Sequence, residues 1–190
     1  MKIRKRSWLL STTILTCLWQ TTAHAEGDAQ DHYGFGPLMV MTDDGAQFGA
    51  AYVGSSLDLA LTLDGNAWDT KNSSPNTTTE DMGATVRIGY ARPLGNHNFL
   101  SAGVHVHQSF FGKDPTGDKA SDFRAGPYVQ FRREFPGTGV SLVAFVLPVS
   151  YDKSTITNVK DASGHPTGTD LVQAQYRFFQ EGGVGVAFIL

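Results

Sequence analysis

Between residues 57 and 64 the chain reads Leu-Asp-Leu-Ala-Leu-Thr-Leu-Asp, so Leu57, Leu59, Leu61 and Leu63 alternate with Asp58, Ala60, Thr62 and Asp64. Successive side chains of a β-strand point to opposite faces, and a strict period of two therefore marks a strand with one apolar and one polar face. Residues 81–92 repeat the pattern, with Met82, Ala84, Val86, Ile88 and Tyr90 set against Gly83, Thr85, Arg87, Gly89 and Ala91. A sheet built from such strands must place its two faces in different media. After residue 25 no run of about 18 apolar residues occurs, which excludes helical membrane spans there.

Eight segments read as strands: 32–41, 46–54, 57–64, 81–92, 99–111, 122–134, 140–151 and about 173–190. The connections after the second, fourth and sixth are short, at 54–56, 93–98 and 136–139. Those after the third, fifth and seventh are long and hydrophilic, at 65–80, 112–120 and 152–169; the link 42–45 is a short exception. This predicts an all-β chain forming an eight-stranded antiparallel up-and-down barrel. The alternation in loop length fits a transmembrane barrel with short periplasmic turns and longer outer loops. A soluble lipocalin-like barrel has the same strand number but turns its apolar face inward.

The N-terminus bears on the compartment. Lys2, Arg4, Lys5 and Arg6 precede an apolar stretch over 8–19, and Ala23-His24-Ala25 supplies small residues at a cleavage site. The expected organisation is a signal peptide over 1–25 followed by one barrel domain over 26–190. A competing lipoprotein reading runs through Cys17, but Thr16 is bulky for the position before a lipidated cysteine. Cleavage after Ala25 leaves eleven basic against eighteen acidic residues, a formal charge of −7, and no cysteine. That balance excludes nucleic acid as an expected partner and leaves no disulfide or thiol chemistry.

The C-terminal stretch, Gln180-Glu-Gly-Gly-Val-Gly-Val-Ala-Phe-Ile-Leu190, alternates again, with Val184, Val186, Phe188 and Leu190 on one face. Gly185, Phe188 and Leu190 resemble the C-terminal signal by which bacterial outer-membrane barrels are recognised for assembly; Leu190 stands in for the usual final aromatic. With the strand count, the chain resembles the small outer-membrane barrels of the OmpA-transmembrane and OmpX-like type. That resemblance implies residence in the bacterial outer membrane and a narrow lumen filled by side chains. It further implies contact with outer-membrane lipids and lipopolysaccharide, and recognition of the last strand by the barrel assembly machinery. The polar strand faces are then expected to line the lumen: Ser101, Gly103, His105, His107 and Ser109 on the fifth strand, Arg124, Tyr128, Gln130 and Arg132 on the sixth, Arg177 and Glu181 on the eighth. Tyr33, Phe35, Tyr90, Phe99, Phe131 and Phe135 are expected at the inner rim. Phe110, Phe111, Phe123 and Tyr151 are expected at the outer one, with Trp68 just beyond.

One cluster has the makings of chemistry. His105 and His107 share a strand face with Ser109, and two histidines at that spacing could hold a metal only with a third ligand from another strand. The His107-x-Ser109 pair resembles the His-x-Ser pair of the outer-membrane lipid A deacylases. It departs from that family by lying on the fifth strand and by having Ser121 where a Glu would follow. His107 and Ser109 are therefore the weak catalytic candidates, against a structural role in a hydrogen-bonded lumen. No pattern calls for a metal or a cofactor. Asn72-Ser73-Ser74 and Asn76-Thr77-Thr78 match the glycosylation acceptor pattern, which in this setting reads as a polar loop. Three functional readings remain: a structural or surface-interaction barrel whose outer loops meet an unidentified extracellular ligand, a lipid A-modifying hydrolase, and a small-solute pore or carrier. The charged lumen argues against a carrier of apolar compounds.

Overall fold

The computed structural model describes residues 34–43, 45–70, 77–112, 119–157, 159, 163, 165 and 167–189. The expected signal peptide, Tyr33, Leu190 and the glycosylation-pattern asparagines fall outside these residues, and the side chains of Phe111 and Trp68 are likewise not described. Eight strands follow one another: β1 (Gly34–Thr42), β2 (Gly45–Val53), β3 (Leu57–Thr70), β4 (Thr77–Gly95), β5 (Asn98–Gly112), β6 (Lys119–Phe135), β7 (Val140–Thr157) and β8 (Leu171–Phe188). Each pairs antiparallel with the next, and β1 closes on β8 from Leu38↔Ala187 to Thr42↔Gly183. Closure leaves no free edge through the wall, as a barrel in a medium without water requires.

The wall is apolar outside. Leu61 is 53% exposed and Leu63 59%, while Asp58 and Thr62 between them are buried. The same alternation holds on β4, where Val86, Ile88 and Tyr90 face out and Thr85 and Arg87 face in. Met39, Phe48, Leu100, Val104, Leu142, Val184 and Phe188 continue the exposed apolar surface around the barrel. A lipocalin-like arrangement would put these groups in the interior, so the soluble alternative fails on orientation.

Three features depart from the sequence reading. First, strands extend well into the expected loops: β3 and β4 pair as far as Thr70↔Thr77, and β7 and β8 as far as Ile156↔Leu171. The β3–β4 extension is mostly polar and threonine-rich in sequence, while the β7–β8 one also carries Ile156, Leu171 and Val172; a ladder beyond the apolar belt needs backbone pairing and β-propensity but no continuous apolar face. Second, Phe99 does not belong to the inner-rim belt. Its parity on β5 matches that of Ser101, and it is 1% exposed beneath the Arg132 guanidinium, 4.1 Å from its ring centre. Third, the alternation breaks on β7: Val143, Phe145 and Leu147 face in, and then so do Ser150 and Asp152. Pairing is interrupted between Ala125 and Val129 on β6 and between Leu147 and Val149 on β7. Pro127 and Pro148 lie at this seam, where a residue lacking an N–H can be accommodated outside the regular ladder. On β8 the irregularity ends at Phe179, whose φ of 51° is left-handed and whose ring stands 72% exposed beside outward Phe178.

Candidate functional site

Among the described residues, polar chemistry is concentrated in the lumen, which is built in tiers. Nearest the short turns, Arg132 from β6 is fully buried. Its guanidinium pairs with Glu134, lies 3.5 Å from Asp58 of β3 and donates to the Gly54 carbonyl at 3.0 Å. Asp58 in turn accepts from Ser101 and, at 3.2 Å, from Gln130. Strands β2, β3, β5 and β6 are thus tied through one cation. A buried charge is tolerable when paired and hydrogen-bonded like this, and costly when a partner is removed.

The middle tier is crossed by Tyr128 and Arg87. Tyr128 reaches from β6 to β4, where Gly89 leaves room for its hydroxyl: a Cβ there would come within 2.3 Å of it. Arg87 lies 4.1 Å above the Phe145 ring, and His105 stacks on the same ring with centroids 6.2 Å apart. The other side of this tier is apolar, with Leu38, Val40, Ala51, Val53 and Ala187 from β1, β2 and β8. A cavity of about 20 Å³ remains between Arg87, Arg132, Tyr128 and these residues. That is room for about one water molecule and no solute.

Towards the long-strand end, Arg124 bridges Asp152 at 3.1 Å and Glu181 at 3.0 Å. Arg177 reaches the other Asp152 oxygen at 2.6 Å, Ser150 donates to Asp152 at 3.1 Å, and His105 Nε2 lies 3.4 Å from Glu181. The sequence placed Arg124, Arg177, Glu181 and His105 in the lumen but could not match the two arginines with Asp152, because the break at Pro148 sets that residue's direction.

The two candidate residues sit above this network, and both face the lumen. His107 Nδ1 shares a 3.0 Å hydrogen bond with Thr85 Oγ1 and lies 3.7 Å from Asp64. Ser109 is buried, and its Oγ accepts the Asp122 amide at 2.6 Å. Among the described contacts the imidazole engages Thr85 and Asp64 on a single nitrogen, and none joins it to Ser109. A base–nucleophile pair needs that missing contact. No cluster of three or more metal-ligating side chains occurs among the described residues. His107→Ala is expected to lower barrel stability by about 1–2 kcal/mol through the lost buried hydrogen bond. Urea titration read by gel mobility checks the loss, and mass spectra of lipid A from expressing cells should not change. Deacylated lipid A that vanishes in both His107→Ala and Ser109→Ala would reverse this reading.

A closed eight-stranded antiparallel wall, apolar outside and polar inside with several ion pairs, defines a small transmembrane β-barrel. No protein-family profile and no curated protein matches the chain. Among solved structures it is similar to the crystal structure of Acinetobacter baumannii CarO2, with 13% identity, coverage of 85% of this chain and 100% of that one, and a TM-score of 0.36. The fold assignment rests on the chain's own strand pairing.

Proposed function

We propose that the protein is a bacterial outer-membrane barrel with a structural or surface-interaction role, exerted by the hairpins at its long-strand end. The observation that carries this is the division of the wall: an exposed apolar band around a lumen where Arg132 pairs with Asp58 and Glu134, Arg124 with Asp152 and Glu181, and Arg87 lies over the Phe145 ring. We read the lumen as filled rather than open. Arg87, Arg132 and Tyr128 cross it, and the cavity they leave is about 20 Å³. Past the band, the β3–β4 pair continues as a ribbon of mostly polar sequence, and the β7–β8 pair continues with Leu171 and Val172 exposed among polar residues. These are the parts long enough to meet lipopolysaccharide or an extracellular ligand. Turns such as Pro136–Gly139 are too short to reach a partner and lie in the periplasm under this topology.

Fractionation with electrophoresis before and after boiling tests the compartment, since a folded outer-membrane barrel gives a heat-modifiable band. An epitope inserted near Asn76 or Gly164 is expected to be detected on intact cells with assembly retained, whereas one at Gly137 should need permeabilisation. Detection of the Gly137 tag on intact cells would invert the topology and remove the basis for the surface role.

A further inference from the structure

At the short-turn end the outer wall carries two charges. Arg92 on β4 and Arg133 on β6 alternate with buried neighbours, Ala91 on one side and Arg132 and Glu134 on the other, and so face outward. From that end up to the Leu61↔Val86 level, every other described outward strand side chain is uncharged. The two arginines flank β5. Leu100 pairs with Arg92 on one side and with Phe131 on the other, and Arg133 pairs with Asn98 two residues along. Two inter-strand spacings separate the arginine-bearing strands, about 10 Å, a span that two long side chains can close over Leu100.

Among the described contacts neither arginine has a carboxylate partner. Of the acids described at this end, Asp58 and Glu134 are turned into the lumen and held by Arg132. The Arg133 guanidinium lies 6.0 Å from the centre of the Phe135 ring. Around them the surface is lipid-like: Tyr90, Leu94 and Leu100 are exposed, the last at 43%. A pair of unpaired guanidinium groups above an apolar slope matches a phosphodiester above acyl chains, because the planar fork donates two hydrogen bonds to phosphate oxygens.

We infer that Arg92 and Arg133 form a headgroup site for an anionic glycerophospholipid of the periplasmic leaflet, with its phosphodiester between the two guanidiniums and an acyl chain along Leu100 and Val104. This rests on the outer-membrane reading above, which places the short turns at the periplasmic face.

The test uses the full-length mature barrel folded into nanodiscs of equal phosphatidylglycerol and phosphatidylcholine, released for native mass spectrometry. Wild type should retain phosphatidylglycerol over phosphatidylcholine by about thirtyfold, since each of the two basic residues near an anionic surface contributes roughly fivefold. Arg92→Gln/Arg133→Gln should bring the ratio close to one. Arg92→Lys/Arg133→Lys should keep part of it, and Lys153→Gln, at the opposite rim, should leave it intact. A wild-type barrel that inserts and shows its heat-modifiable band but holds both lipids equally overturns this site and leaves the membrane reading standing. A preference that survives in the double Gln variant overturns it too. Failure of the wild type to insert at all overturns the membrane reading and the site with it.

Discussion

Arg132→Met is expected to destabilise the barrel by about 3–5 kcal/mol, the range for removing one partner of a buried ion pair. The side chain is fully buried, and its loss strands Asp58 and Glu134 together without a cation while freeing the Gly54 carbonyl. Methionine fills much of the volume and keeps contact with Phe99, so the loss reports charge more than packing. Folded fraction against urea, read by electrophoretic mobility of samples in detergent, checks the size of the effect. Adding Asp58→Asn and Glu134→Gln to Arg132→Met should restore a substantial part of the lost stability, because neutral partners no longer require a counter-charge. If Arg132→Met alone unfolds at the wild-type urea concentration, the network is not what holds this end of the barrel.

Leu61→Arg comes next, with an expected cost of about 2–4 kcal/mol for a cation near the bilayer midplane. Leu61 pairs with Ala50 on one side and Val86 on the other, all outward, so the new charge would have no protein partner. Thr62→Arg provides the contrast: Thr62 is 1% exposed and hydrogen-bonded to Gln47 at 3.0 Å, so an arginine there strains the filled lumen instead of meeting lipid. Refolding yield into vesicles and urea midpoint measure both. Spin labels at 57, 59, 61 and 63 should report hydrocarbon, and water-accessible labels at all four would reverse the orientation of the wall.

The sequence by itself determined the elements wherever the two strand faces differ in polarity. On β3, β4 and β5 a period of two places Leu61, Ile88 and Val104 on one side and Asp58, Arg87 and His105 on the other, and the folded chain keeps that division. On β1 it could not, because Leu38 and Val40 are as apolar as Met39 and Met41; only closure against β8 shows that the first pair is buried and the second exposed. Phe99 illustrates the same limit, since an aromatic at a strand end suits an interface until Arg132 from the neighbouring strand claims its ring. The polar ribbons past the belt also escaped the pattern, for a strand with no apolar face has no period to read. The pairing within the lumen was decided by tertiary structure alone. Asp152 meets Arg124 and Arg177 only because the seam at Pro127, Pro148 and Phe179 shifts the register of β7 and β8. A one-residue slip sends every later side chain to the opposite face, and nothing local to the sequence says where the slip is absorbed.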